Sequence, residues 1–235
     1  MEDKKGEERR AELKRRYLED GIEQLSEKEI IELLLRTSDV RVDAETLSEK
    51  LINVYGSLRS TFEAPRIPLR EIGLNDKETA LLMLMPRLYE RYMISIAVQK
   101  YCGKALDTDE AIAEYIAPRL LRKRCEYVVL LLLSKRRRAL YCGVVNDGVA
   151  NGSDVDIRNI LELCVNSNAE YAVLAHNHPS GIPLPSEFDI TVTKRLIEKM
   201  ALLGVTMLDH IIFSETDKTF LSKLEETKDL FGKVK

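Results

Sequence analysis

Apolar residues in the first hundred positions recur at helical spacing and predict a series of short helices. Ser26 and Glu29 fit a capping box at the start of an apolar-periodic stretch, 29–35. Asp43 can begin a second helix, which Gly56 would end. Three residues are spaced to share one apolar face of that helix: Leu47, Leu51 and Val54.

Prolines shape the second half of this helical region. The proline-containing segment 64–69 predicts a linker, and Asn75 with Glu78 predicts the start of a long apolar helix. Pro86 lies inside that helix, where its missing N–H and its ring should kink or break the helix. Residues 1–106 are therefore predicted to form a small helical N-terminal domain.

The pattern changes after Asp107. Asp107 or Thr108 can cap a helix that ends near Pro118. The continuous apolar run 126–134 is typical of a strand buried on both faces. The later predicted elements are a charged turn at 135–138, a hairpin strand at 139–146, a helix at 156–168, a strand at 172–178, a helix at 186–203 that Gly204 closes, a strand at 205–214 and a polar, helix-prone tail. Strands that alternate with helices predict an α/β sandwich with a mixed sheet at 107–235.

Composition adds few constraints. The 235-residue chain is 45% hydrophobic, and its net charge of −3 gives no overall attraction to nucleic acid or to an acidic membrane. The apolar run 127–133 is far shorter than the ~20 residues of a membrane-spanning helix, and the N-terminus has no apolar core of a secretory signal. We therefore expect a cytoplasmic protein with no membrane partner. Its four cysteines form no C-x-x-C pair, so we expect reduced thiols packed as small hydrophobic residues.

Two of the three histidines, His176 and His178, lie at the end of a predicted strand. Residues i and i+2 of a strand share a face ~6.5 Å apart, so both imidazoles can bind one metal ion. Asp189 lies one turn into the next helix and could supply a third ligand. Three ligands leave one tetrahedral position for water, as in catalytic zinc sites, where zinc lowers the pKa of that water to ~7. Glu126 begins the buried strand and is a candidate general base.

Each of these residues also has a simpler interpretation. An isolated His-x-His pair is usually an ordinary strand or loop feature. Ser186 and Asp189 fit a capping box, and Glu126 is alternatively a solvated strand end. His210 is favoured as a core or hydrogen-bonded histidine. The joint spacing of the residues is what favours a metal site.

That joint spacing, a Glu followed by H-x-H-x(10)-D with a Ser three residues before the Asp, resembles the JAMM (MPN-plus, JAB) metalloprotease motif. The strings HNHPSGIPLPSEFDITVTKRL and LLGVTMLDHIIFS resemble the signature of the bacterial RadC family. The resemblance implies a JAMM/MPN-like, cytidine-deaminase-like sandwich that binds Zn²⁺ through His176, His178 and Asp189. It further implies that Glu126 is the catalytic base and that Ser186 steadies the oxyanion. The expected activity is zinc-dependent hydrolysis of an amide or isopeptide bond in a peptide or protein substrate.

Two segments depart from the family pattern. Members usually carry Gly-Thr and Pro-Arg-Glu between the hairpin and the helix, where this chain reads NDGVANGSDVDIRNI. The helical part of the family usually has a Gly-x-Gly hairpin that resembles DNA-binding helix-hairpin-helix motifs. Here Ile72-Gly73-Leu74 keeps one glycine, so the predicted N-terminal domain is a degenerate form.

Two other function classes remain open on the sequence. The first is a DNA-associated protein of repair or recombination, which would use two basic clusters: Arg119, Arg122, Lys123 and Arg124, and the turn 135–138. No aromatic residue is interleaved with either cluster to stack a base, so nucleic-acid binding is weakly supported. The second is a non-catalytic MPN-type binding module, which the complete ligand set disfavours. The sequence lacks the P-C-x-x-C of zinc deaminases and carries no signal for an oligomeric state.

Overall fold

A computed structural model describes residues 2–38, 43–147, 156–179 and 181–232 of the chain. The chain forms two compact units, Met1–Arg91 and Tyr92–Lys235. Among the described residues, none of the helices combines the length and the apolar character that crossing a membrane requires. The distinctive loop sequence between hairpin and helix falls mostly at 148–155, outside the described residues.

The first unit is helical. Its helices are α1 (Glu2–Asp20), α2 (Glu27–Ser38), α3 (Ala44–Tyr55), α4 (Leu58–Phe62), α5 (Arg66–Ile72) and α6 (Asp76–Lys100), with a 3₁₀ turn at Ile22–Gln24; α6 continues into the second unit. Their apolar side chains form one core, which includes Ile31, Leu35, Leu51, Leu69 and Leu82. Burial of such side chains, at roughly 1.5–3 kcal/mol each, is what holds short helices together.

Two predicted helix starts of this unit are confirmed by their hydrogen bonds. The Ser26 Oγ accepts from the Glu29 amide at 3.3 Å, and the Ser26 amide donates to the Glu29 carboxylate at 3.0 Å. The Asn75 and Glu78 side chains form the same reciprocal pair, at 3.0 and 2.8 Å. These local sequence signals were sufficient because a capping box satisfies amides within a single turn.

Four expectations for the helical region are wrong. Helix α1 is 19 residues long rather than short, whereas the long helix predicted to begin near Asn75 is confirmed by the 25 residues of α6. Val54 is 63% exposed, so Leu47 and Leu51 alone of its predicted trio face the core. Segment 64–69 is not a linker, because Pro65 caps α5 and the first turn of a helix has unbonded amides that prolines do not disturb. Of the predicted kink or break at Pro86, the break is wrong: α6 continues through Pro86, whose missing amide removes one bond of many.

The second unit combines a sheet with helices. Its strands are β1 (Tyr127–Leu133), β2 (Ala139–Asp147), β3 (Tyr171–Asn177), β4 (Thr206–Phe213) and β5 (Lys218–Phe220). Its further helices are α7 (Asp109–Ile116), α8 (Ile157–Asn166) and α9 (Glu187–Ala201), with 3₁₀ turns at Ala117–Arg119, Leu221–Lys223 and Lys228–Leu230. The strand order is β2-β1-β3-β4-β5, and β3 and β4 are parallel while the other neighbours are antiparallel. The predicted mixed α/β sheet is confirmed; the tail, predicted as helix-prone, also adds the short strand β5.

Both faces of the central strands are buried, as the apolar run of β1 predicted. Val129, Leu131 and Leu133 lie in one apolar cluster with residues of α7. Leu130 and Leu132 lie in a second cluster with residues of α8 and α9. Side chains of a strand alternate between faces, so each face of β1 contributes to a different core. The sheet therefore fixes which residues of β3 and β4 face α9.

The cysteines are only partly packed as expected. Cys164 is buried and Cys142 is half-buried, and burial raises the pKa of each thiol to about 11. Cys102 and Cys125 are exposed, so the expectation of four packed thiols is wrong for these two. Both lie next to the ends of elements, where the helical or strand pattern no longer places them in a core.

Candidate metal centre

One edge of the sheet gathers the predicted ligands. Because β3 and β4 are parallel, their carboxyl ends meet at this edge, and the antiparallel β1 begins there. His176 lies near the end of β3, and His178 is the first residue after that strand. The loop after His178 leads into α9, whose first turn carries Asp189. The end of one strand and the start of one helix therefore bring the three residues together.

The three predicted ligands form a compact group. The Nε2 atoms of His176 and His178 are 2.8 Å apart. Asp189 Oδ1 lies 3.4 Å from His176 Nε2, and Asp189 Oδ2 lies 3.8 Å from His178 Nε2. All candidate ligand atoms lie within 4.8 Å of one another. This is a geometry in which one cation can bind all three side chains.

Hydrogen bonds on the far sides of the rings decide which nitrogens carry protons. His178 Nδ1 lies 2.9 Å from the Ile182 carbonyl oxygen, which can only accept, so Nδ1 is the protonated nitrogen of a neutral ring. Its Nε2 is then a bare lone pair that faces the Nε2 of His176. A ligand histidine in metal sites is oriented in the same way, by a bond from its other nitrogen.

Ser186 holds the Asp189 carboxylate. The Ser186 amide and hydroxyl both donate to Asp189 Oδ2, at 2.8 and 2.6 Å, and the Asp189 amide donates to Ser186 Oγ at 3.2 Å. The capping box that the sequence allowed is therefore present. The Oδ1 atom of Asp189 faces His176, so the pair of Ser186 and Asp189 both starts α9 and orients a candidate ligand.

His210 was predicted to be a core or hydrogen-bonded histidine, and it is both. Its ring is buried, and its Nε2 lies 2.8 Å from His176 Nδ1. Its Nδ1 lies 2.7 Å from the Thr193 hydroxyl. Sequence reasoning missed the link from His210 to the candidate ligand His176, because the two residues are 34 positions apart and meet only through the pairing of β3 with β4.

Burial controls the protonation of the inner histidines. Burial lowers the pKa of His176 to about 4; Asp189 raises this pKa and His178 lowers it, but the effect of burial is largest. Burial also lowers the pKa of His210 well below its usual value, with a further contribution from the two neighbouring imidazoles. Both rings are therefore neutral at pH 7, which is the form that can bind a metal ion.

Glu126 lies at the same edge but outside the ligand group. Val128 pairs with His176, so extending this antiparallel register by two positions puts Glu126 opposite His178. Glu126 is exposed, and among the described residues no hydrogen bond links its carboxylate to the three candidate ligands. An exposed carboxylate at this edge is accessible to a substrate.

Asn177, between the two histidines, is a residue that sequence reasoning missed. Its buried side chain donates to the Cys125 carbonyl at 3.0 Å and accepts from the Tyr127 amide at 2.9 Å. These are the two neighbours of Glu126 in the chain. The amide of Asn177 therefore fixes the backbone on both sides of the candidate base, and the only sequence signal was its place in the His-Asn-His string.

The two basic clusters of the sequence differ in exposure and in their distance from the candidate metal centre. Arg119 is buried and donates to the Cys142 and Tyr115 carbonyls at 3.2 and 2.9 Å, so it does not lie on the surface that the DNA-binding alternative would use. The turn 135–138 follows the end of β1, at the opposite edge of the sheet from His176. Nucleic acid bound at that turn would lie a strand length, roughly 20 Å, from the metal centre.

Comparison with known proteins identifies the family. A family described as the RadC-like JAB domain matches residues 106–228. A UPF0758 protein of Azotobacter vinelandii is 33% identical over 201 residues, which are 85% of this chain and 88% of that protein. A UPF0758 protein of Clostridium perfringens is 30% identical over 207 residues, 88% of each chain. The chain therefore belongs to the RadC family, as the motif resemblance predicted.

Proposed function

We propose that this RadC-family chain is a zinc-dependent hydrolase of the JAMM type, with a JAMM/MPN-like sandwich as its catalytic domain. Its reaction is the cleavage of an amide or isopeptide bond in a peptide or protein substrate. The observation that carries the proposal is the convergence of the Nε2 atoms of His176 and His178, 2.8 Å apart, beside the carboxylate of Asp189. His178 donates through Nδ1 to the Ile182 carbonyl, so in the neutral ring its Nε2 is a lone pair that can bind a cation at this point.

The donor set fits zinc. Two imidazole nitrogens and one carboxylate oxygen are the ligands of many catalytic zinc sites, which keep a fourth position open. Nitrogens bound to one tetrahedral zinc ion at ~2.0–2.1 Å lie about 3.3 Å apart, so a small opening of the His176–His178 pair is enough. The bonds from His178 to Ile182 and from Ser186 to Asp189 already orient two of the three ligands.

The proposed chemistry divides between the ion and the side chains around it. When bound, zinc polarises a substrate carbonyl and makes a water more acidic. Glu126, exposed beside His178, takes the proton of the attacking water and delivers it to the leaving nitrogen. The Ser186 hydroxyl donates to the oxygen on which charge develops, and for this its single hydrogen must turn away from Asp189 Oδ2.

Metal content and chelator dependence test the proposal. The purified chain should take up one zinc ion, and His178→Ala should lose it. Hydrolysis of isopeptide-linked and linear peptide libraries should stop with a chelator and return when zinc is added. A chain that neither contains nor takes up zinc would contradict the proposal. Zinc uptake without hydrolysis of any amide substrate would instead favour a metal-stabilised binding module.

A further inference from the structure

The Thr193 hydroxyl has one hydrogen and two neighbours. Its Oγ1 lies 2.6 Å from the Asp189 carbonyl oxygen and 2.7 Å from His210 Nδ1. A carbonyl oxygen only accepts, so the hydrogen of Thr193 must go to Asp189; otherwise two acceptors would face each other at 2.6 Å. Thr193 therefore accepts from His210, and His210 carries its proton on Nδ1.

This assignment propagates to the metal ligand. His210 is buried and no carboxylate contacts its ring among the described residues, so the neutral form, with a bare Nε2, is the stable one. That bare nitrogen lies 2.8 Å from His176 Nδ1, which must then donate. His176 consequently has a protonated Nδ1 and a free Nε2, which is the nitrogen that faces His178 and Asp189.

We propose that Thr193 and His210 are positioning residues that fix the tautomer of His176 and so raise the affinity of the centre for its metal. The proposal rests on the proposed zinc site. Most ligand histidines donate to a carboxylate or a carbonyl, which can only accept. Here the acceptor is another imidazole, which can present either a donor or an acceptor. Thr193 is required because it removes that ambiguity.

The fold closes this arrangement into a ring. Thr193 lies one turn after Asp189 on α9, so a single helix turn carries a metal ligand and the start of the relay. His210 lies on β4, which pairs in parallel with β3 and its His176. The relay thus begins at the Asp189 backbone and ends at His176, whose Nε2 is 3.4 Å from the Asp189 carboxylate. We therefore expect displacement of Thr193 or His210 to change the orientation of His176.

The test replaces Thr193 and compares it with a matched residue. Thr193→Val removes the hydroxyl but keeps the shape, and zinc affinity, measured by competition with a chelator, should fall about 10–100-fold. Thr193→Ser should keep the affinity of the parent chain. Thr191→Val is the control, because Thr191 is exposed on the same helix and makes the equivalent bond to the Glu187 carbonyl at 2.9 Å without contacting His210. Its zinc affinity should not change.

Nitrogen NMR of the imidazoles separates this relay from the zinc site itself. In the metal-free parent chain, His176 should carry its proton on Nδ1, and in Thr193→Val it should populate both tautomers. His210→Gln keeps an acceptor for His176 and should retain more zinc affinity than His210→Leu. This second pair of variants tests the relay even if Thr193→Val fails to fold. Unchanged tautomers and affinity in Thr193→Val, or equal affinity of the two His210 variants, would overturn the relay. Failure of the parent chain to bind zinc would instead contradict the proposed function.

Discussion

The candidate metal centre has two halves that differ in burial. The inner half is buried and consists of His176, Thr193 and His210. The outer half is exposed or half-buried and consists of Glu126, His178, Ser186 and Asp189. Strands and a helix hold the inner half through side-chain bonds, whereas strand ends and a loop hold the outer half. The buried residues cannot contact a substrate, so we expect them to set metal affinity, and we expect the exposed non-ligands to set turnover.

The largest expected effect belongs to Glu126→Gln. Gln keeps the size of Glu126 but cannot accept and deliver a proton, so turnover should fall by ~100-fold or more. Zinc content and folding should stay unchanged, because Glu126 lies outside the ligand group. Single-turnover hydrolysis and elemental analysis measure both quantities. Loss of zinc together with activity would make Glu126 a ligand, and unchanged turnover would make it a solvated strand end.

The pH dependence of the stability of the metal-free chain tests the description of the inner half. The pKa of His176 is lowered from 6.5 to about 4 in the folded chain. Between these two pH values the unfolded chain therefore binds a proton at His176 and the folded chain does not. Stability is therefore lost as the pH falls, by roughly 2 kcal/mol between pH 7.5 and 5 for this residue. Denaturant titrations of the parent and His176→Gln, with a chelator present, give the difference.

Asp209 makes an opposite contribution to the pH dependence of the free energy of unfolding, and the comparison with His176→Gln removes it. Burial raises the pKa of Asp209 to about 6, although bonds from Ser222 lower it. Its contribution to stability is present at low pH and is lost as the pH rises through 6. Both chains contain Asp209, so this contribution cancels. Parallel pH profiles for the two chains would show that His176 is not the buried, neutral residue described above.

Asn177→Asp should have an intermediate effect. Asp can still accept from the Tyr127 amide but cannot donate to the Cys125 carbonyl, so the backbone around Glu126 loses one of its two bonds. We expect turnover to fall roughly 10-fold, since misplacing a catalytic group by about 1 Å can cost more than that. Zinc affinity should change less than turnover. A drop in zinc affinity with unchanged turnover per bound zinc would assign Asn177 to the inner half.

Local signals were readable from the sequence, and long-range pairings were not. The His-x-His spacing, the capping boxes and the β1–β2 hairpin all lie within short segments, so their chemistry predicted them. His210 and Asn177 gained their roles only from the parallel pairing of β3 with β4 and the antiparallel pairing of β1 with β3. The exposure of Val54 also depends on packing, which overrides local propensity.

The smallest expected effect, and the one that best separates two roles of a single residue, belongs to Ser186. Its hydroxyl caps α9 and binds Asp189, so Ser186→Ala should lower the free energy of unfolding by ~1 kcal/mol. Gly at an N-cap costs only a few tenths of that, yet it also lacks the hydroxyl. If the hydroxyl donates to the developing oxyanion, Ala and Gly should slow turnover equally while Ser186→Thr restores it. Turnover that instead follows the melting temperature across the three variants would leave Ser186 as a cap alone, and the outer half would then hold a single residue, Glu126, that acts on the substrate without binding the metal.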